Sequence, residues 1–252
     1  MSALPEDFWA TLPLAEGVAL LTRDENGLAA FDKPYGVLSH PNASQDEPRS
    51  LLTCRYDKEA QCFIWKSADG DERRLWLLNR LDSATSGVIL TAASEKLAVA
   101  IRDHYLKKQV AKVYQALVFG HPHQHHELWL DMLAVRNVQG KIRTSLIGNV
   151  PAETKFQLTK HTQKAFSTSL IRLEPRTGRS HQLRVQCAKR HLPIVGDQTY
   201  GNFALNRSFA KGTKNKRLFL HSLETSFTYA FAGKANSFKA TAPLPRDFTA
   251  TY

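Results

Sequence analysis

LWLLNRLDSATSGVILTA, residues 75–92, sets two apolar runs on either side of a polar loop. Leu75-Trp76-Leu77-Leu78 and Val88-Ile89-Leu90 read as strands, and the loop Asn79–Gly87 between them carries Arg80, Asp82, small hydroxyl residues and a glycine. That spacing puts a carboxylate at the mouth of a sheet rather than inside it. Asp82 there is a candidate nucleophile, general base or metal ligand. An aspartate before a serine also closes turns, and position and composition alone favour the turn.

Outward from this stretch the same pattern recurs. Residues 27–42, GLAAFDKPYGVLSHPN, read as a strand over Leu28–Phe31, a turn at Lys33-Pro34-Tyr35-Gly36 and a short apolar run at Val37-Leu38. The stretch 42–48 is polar and turn-rich, which predicts a surface loop. Ser50 is a candidate cap for a short helix through Leu51, Leu52 and Tyr56, and 67–74 is a turn-like connection. Ser94 opens a helix with Leu97, Ala98, Ile101, Tyr105 and Leu106 assigned to one face and Lys107-Lys108 in its last turn. Lys112–Gly120 alternates as a strand, with Val113, Gln115 and Leu117 on one side and Tyr114, Ala116 and Val118 on the other. Further strands are predicted at 127–133, 154–159, 167–173, 218–223 and 237–240, some joined by short turns such as Gln139-Gly140. Strands outnumber helices, which predicts an α+β protein with a mixed, largely antiparallel sheet and helices packed on it, not alternating βαβ units.

The 252 residues are 42% hydrophobic and 23% charged, with a mean hydropathy of −0.35. These are globular values and exclude a disordered or fibrous chain. No apolar run approaches the ~20 residues of a membrane helix, and MSALPEDFWATLPLAEG does not read as a secretory signal. Thirty-four Lys and Arg against 23 Asp and Glu give a net charge of +11, and the pI is near 9.7. Such a balance points to nucleic acid as partner, because a polyphosphate repays clustered cations by counterion release. Cys54, Cys62 and Cys187 form no disulfide framework and read as buried, reduced thiols of a cytoplasmic protein.

A second polar segment, LEPRTGRSHQLRVQCAKRHLPIVGD over 173–197, ends a strand at Pro175 and makes a basic turn at Arg176-Thr177-Gly178-Arg179. Ser180 is the predicted N-cap of the helix that follows. Arg176, Arg179, His181 and Arg184 at a strand-to-helix turn can meet phosphates with side-chain and helix-terminal donors together. His121, His123, His125 and His126 share a short loop, but no Cys or carboxylate pattern completes a metal site.

Together these segments resemble the RluA-type family of RNA pseudouridine synthases. FDKPYGVLSHP, NRLDSATSGVILTA, KVYQALVFG, PAETKF, RTGRSHQLRVQ with PIVGDQTYG, and LFLHSLETSF follow the family's blocks in order, from Gly27 to Phe248. The resemblance implies one catalytic domain over 27–252 behind an extension over 1–26, built on a long mixed sheet with flanking helices and a central RNA-binding cleft. It implies that Asp82 is the catalytic aspartate, Tyr114 the ring stacked on the target uracil, Arg184 the basic residue paired with the aspartate, and Arg80 the arginine that fills the gap left by a flipped base. It also implies no metal, no cofactor, and ribosomal or transfer RNA as substrate, with Arg176, Arg179 and His181 on the RNA. Asn79 departs from the histidine that many relatives carry. Two rivals are a non-catalytic RNA-binding protein of the same fold and a glycosidic-bond hydrolase. The hydrolase wants a second carboxylate, and Glu153 and Asp197 read as structural.

Overall fold

In the computed structural model, which describes Leu4 and residues 7–138 and 141–249, the chain runs β1 (Ala19–Arg23), β2 (Leu28–Lys33), a 3-10 helix (Ser44–Arg49), β3 (Arg55–Asp57), β4 (Cys62–Lys66), β5 (Glu72–Leu77), β6 (Ser86–Ala92), α1 (Glu95–Leu106), β7 (Ala111–Phe119), β8 (His126–Val138), β9 (Lys141–Gln163), β10 (Ser167–Pro175), α2 (Gln182–Lys189), α3 (Phe203–Thr213), β11 (Leu220–Phe231), β12 (Lys234–Thr241) and α4 (Arg246–Thr249). Two compact units emerge. The first holds the residues up to Val110 with Glu224–Ala242, and the second holds Ala111–Leu223 with the residues from Pro243 on.

The first unit is organised by β6. All seven of its residues are buried, as a strand covered on both faces requires. It pairs antiparallel with β2 from Leu28↔Ala92 to Lys33↔Gly87, and with β5 at Ala92 and Thr91. Period-two alternation then divides the core. Leu28, Ala30, Val88 and Leu90 face a cluster with Leu97, Ala98 and Ile101 of α1 and Phe227 and Phe238 of the β11–β12 hairpin. Ala29, Phe31 and Ile89 face a second cluster with Leu51, Leu52, Phe63 and Leu75. Phe8, Leu12, Ala15 and Val18 belong to this second cluster, and β1 pairs antiparallel with β2. α1 starts as predicted, the Ser94 side chain accepting from Leu97 N. Leu106, expected on its apolar face, is 82% exposed. At 100° per residue it lies opposite Leu97.

The helix expected after Ser50 does not form. Ser50 instead ends the 3-10 helix that occupies the expected surface loop, and its hydroxyl donates to Asp46 O at 2.8 Å. The backbone beyond it is taken by the N-terminal segment: Ala15 N donates to Leu51 O and Thr53 N to Pro13 O. Arg55–Asp57 then enters a hairpin with β4.

The second unit is an antiparallel array in the order β7-β10-β9-β8. β9 runs 23 residues where only 154–159 was expected. The turn expected at 139–140 lies outside the described residues. One face of the β8–β9 hairpin is covered by α2. Trp129 is fully buried, stacked on Phe156 at 4.8 Å and covered by the Arg190 guanidinium at 4.4 Å. Asp131 beside it accepts from Lys189 Nζ (2.5 Å), Arg190 Nη1 (3.0 Å) and Gln186 Nε2 (2.8 Å). Burial alone would raise the Asp131 carboxyl, but these donors outweigh it and hold it below the usual carboxylate range. The three cysteines are unpaired, and burial pushes the Cys54 thiol up to about 12 and those of Cys62 and Cys187 upward as well.

Candidate active site

The loop carrying Asp82 is anchored through its backbone. Asp82 O accepts from Thr85 N at 2.9 Å, so the residue closes a turn through its carbonyl. Leu81 is buried and bonded twice to one hydroxyl: Ser39 Oγ donates to Leu81 O at 2.7 Å and accepts from Leu81 N at 2.9 Å. On the other side of Asp82, Ser83 O accepts from Gly36 N at 2.8 Å and from Lys33 Nζ at 3.3 Å. Gly36 sits at φ +92°, a conformation that a β-carbon disfavours. Lys33 is fully buried, and its ammonium also donates to Pro34 O (3.1 Å) and Val37 O (2.7 Å). The Lys33–Ser39 segment therefore clamps the residues before and after Asp82, which is itself half-buried.

Asn79, the departure from the family pattern, has a local backbone task. Its Oδ1 accepts from Leu90 N at 2.8 Å, while Leu78 N donates to Leu90 O. Arg80 is exposed. Nearby in sequence to the clamp, His40 stacks on Tyr56 at 4.9 Å with 12° between planes, and burial lifts the Tyr56 hydroxyl to about 12.

In the second unit the Arg176–Arg184 segment forms one polar assembly. Its organiser is Gln182. Gln182 Oε1 accepts from Thr177 Oγ1 (2.8 Å) and Arg179 N (3.1 Å), and its Nε2 donates to Glu153 O (3.2 Å) and Thr154 Oγ1 (3.0 Å). Arg176 donates to Glu153 Oε1 at 2.5 Å, and Arg179 Nε reaches Pro151 O at 3.4 Å. Ser180 is not the helix cap. His181 takes that position at φ +55° without a side-chain capping bond, and the Gln182 amide ties the turn instead. His181 Nδ1 lies 2.9 Å from Tyr200 Oη.

Arg184 is buried and forks onto Asp197, Nε to Oδ2 and Nη2 to Oδ1, both at 2.7 Å. Its guanidinium also lies over the Tyr200 ring at 5.2 Å. Burial works against the Asp197 charge, but Arg184 and the Thr199 and Tyr200 amides keep its carboxyl below the usual range. Gly196, next to Asp197, lies against the Arg217 backbone. At φ +78°, a β-carbon there would fall 1.7 Å from Arg217 O. Asp197 and Tyr200 are contacts that the sequence reading missed, and the block PIVGDQTYG was their signal. Tyr114 stands on β7 opposite Leu173. The structure thus gathers Arg176, Arg179, His181 and Arg184 in one turn and helix of the second unit, and carries Arg80 and Asp82 on one loop of the first. In the histidine loop the His121 ring packs against that of His161, centroids 4.0 Å apart and tilted by 31°, and among the described residues no group of three or more ligating side chains is placed to hold a metal.

The profile of the RNA pseudouridylate synthase family matches residues 27–189. The chain is 32% identical over 219 residues to tRNA pseudouridine synthase C of Haemophilus ducreyi, covering 83% of this chain and 85% of that one. It is 35% identical over 221 residues to ribosomal large subunit pseudouridine synthase C of Buchnera aphidicola subsp. Schizaphis graminum, covering 84% and 63%. In structure it is similar to human RNA pseudouridylate synthase domain containing 1, with a TM-score of 0.68 at 20% identity over 93% of this chain and 87% of the other. That likeness and the antiparallel sheets with flanking helices bear out the expected fold class. Matched over most of its length, the chain belongs to the RNA pseudouridylate synthase family and is an enzyme that isomerises uridine in RNA to pseudouridine.

Proposed function

We propose that residues 27–252 act on uridines of transfer or ribosomal RNA in the cytoplasm, with Asp82 as the carboxylate that performs the chemistry. The RNA classes are those named for the relatives in Haemophilus ducreyi and Buchnera aphidicola, and reduced, unpaired thiols agree with the compartment. The observation that carries the assignment is the clamp on both sides of Asp82. Positioned catalysis needs a carboxylate held by its backbone, and Lys33, Gly36 and Ser39 supply that hold.

The reaction breaks the bond from uracil N1 to ribose C1′, turns the base, and joins C5 to C1′. The proton lost from C5 balances the proton gained at N1, so the mass is unchanged and no redox reagent enters. Asp82 either attacks C1′ or removes the 2′ proton, and both routes need it ionised. A stacked base is out of reach, so the nucleotide is flipped out. Arg80 fills the space it leaves, Tyr114 supports the detached uracil with its ring face, and Arg184 supplies the positive charge that favours the ionised carboxylate. Arg176, Arg179 and His181 bind the RNA backbone.

Asp82→Asn tests the assignment. The amide is nearly isosteric and leaves the backbone clamp unchanged, so the fold and RNA binding persist while pseudouridine in incubated transfer or ribosomal RNA falls below detection. An Asn variant that modifies RNA as well as wild type removes Asp82 from the chemistry.

A further inference from the structure

Lys112 opens the strand that carries Tyr114. Side chains two residues apart on a strand share a face, so Lys112 lies beside Tyr114 on β7. Its ammonium reaches the basic turn, since a β-carbon placed at Gly178 would stand 3.7 Å from Lys112 Nζ. The bare glycine leaves that approach open. The side chain is partly buried, and no hydrogen bond or ion pair engages its ammonium among the described residues. The carboxylates of this region are already committed: Glu174 accepts from Arg172, Glu153 from Arg176, and Asp197 from Arg184. Desolvation alone draws the ammonium down to about 8. A cation withdrawn from water without a counter-ion is unfavourable for the folded chain by itself, and here it adjoins the segment of Arg176 and Arg179.

We propose that Lys112 is a phosphate-binding residue of the enzyme, holding a phosphodiester of the substrate RNA against the Thr177-Gly178-Arg179 turn beside Tyr114. The inference rests on the reading of that turn as an RNA-binding surface. It adds a contact that sequence reading did not single out, and it gives a use to a lysine that no protein group neutralises. An amine in the same place offers one competing use, as the base that takes the C5 proton. The two uses need opposite charge states, and only the phosphate contact survives replacement by arginine, which stays protonated.

The test uses the full chain and an in vitro transcript of transfer RNA. Binding is titrated over a range of salt concentrations for wild type, Lys112→Met, Lys112→Arg and Asp82→Asn, with single-turnover pseudouridine formation and thermal melting of each. Lys112→Met is expected to bind about tenfold or more weakly at low salt, with a log–log salt slope shallower by about 0.7–0.9, the loss of one phosphate contact. Lys112→Arg restores most of the affinity and the slope. Lys112→Met melts no lower than wild type, because a methionine removes an uncompensated cation. A destabilised or unfolded Met variant would show a structural lysine and overturn the proposal. Tight binding by Lys112→Arg with collapsed turnover would overturn it in favour of the base. If wild type and Asp82→Asn share a steep slope and Lys112→Met matches them, only the Lys112 assignment falls. If wild type itself shows no salt dependence, the reading of the turn as an RNA surface falls with it.

Discussion

Asp197→Ala removes the anchor of Arg184, and the structure sets the size of the effect. Oδ1 accepts from Arg184 Nη2 (2.7 Å), Thr199 N (2.8 Å) and Tyr200 N (3.0 Å), and Oδ2 accepts from Arg184 Nε (2.7 Å). The Asp197 side chain is 1% exposed and that of Arg184 9%, so water does not replace the lost acceptor. Breaking a buried pair by deleting one partner costs about 3–5 kcal/mol, a large part of the roughly 5–15 kcal/mol that holds a domain folded. At about 2–4 °C per kcal/mol for a chain of this size, melting should fall by roughly 6–20 °C. Asp197→Asn keeps an oxygen for the two amides and Nη2 but turns an NH2 group toward Arg184 Nε–H, so it should lose about 2 kcal/mol. Below the melting range of each variant, single-turnover pseudouridine formation should drop by about tenfold to a hundredfold if Arg184 has the role proposed for it, because a displacement of about 1 Å in a positioned group costs that much. Urea or thermal melts and the single-turnover assay read the two effects separately. An Ala variant that melts within a degree or two of wild type refutes the energetic argument. Folded variants with wild-type turnover refute the dependence of Arg184 on Asp197.

Tyr114→Phe keeps the ring and removes the hydroxyl. Pseudouridine formation should fall by about 10²–10⁴ if the hydroxyl assists removal of the C5 proton, and equal single-turnover rates limit Tyr114 to stacking. Asp131 gives a pH dependence. Its folded carboxyl lies below its unfolded value, so its contribution is present above the ordinary carboxylate range and is lost as pH falls through the depressed value. Asp131→Asn should therefore lower the urea midpoint at pH 7 and flatten the decline of stability below about pH 4; equal acid limbs for the two proteins count against the pairing. Arg184→Lys should be tolerated poorly despite its charge, because an ammonium cannot fork onto both Asp197 oxygens, and wild-type turnover with lysine would show that charge alone suffices.

Local signals gave the strands and caps that depend on residues near in sequence. Ser94 caps α1 through Leu97 N, β6 is the continuous apolar run that a doubly covered strand requires, and β7 forms over the stretch read as a strand, though its burial does not alternate: Gln115–Phe119 is buried throughout. What stayed hidden was long-range. Leu51–Thr53 forms no helix because Pro13 and Ala15 occupy its backbone bonds, which no propensity of Ser50 or Leu51 announces. The cap position after Arg179 moved from Ser180 to His181, and the Gln182 side chain ties the turn because Thr177, Glu153 and Thr154 converge on that amide. At the site, Asp82 and Arg184 were readable as motif members. Asp197 was not readable as the partner of Arg184, since 13 residues separate them and the fold beyond α2 brings them together.

Gln182 has a consequence for which sequences can reach this fold. Its carbonyl end must accept twice and its amino end must donate twice, and both ends are saturated inside the protein. Only a side-chain amide of that length offers both functions on one planar group. Every single-nucleotide change of a glutamine codon that is not silent yields Glu, Lys, Arg, His, Leu, Pro or a stop. Glutamate cannot donate when ionised, lysine and arginine cannot accept, histidine has only one ring nitrogen for each task, and leucine and proline do neither. The position is therefore isolated on the mutational map: a lineage that loses this amide has no one-step substitute, and the turn bearing Arg176 and Arg179 is inherited whole or rebuilt from several changes at once.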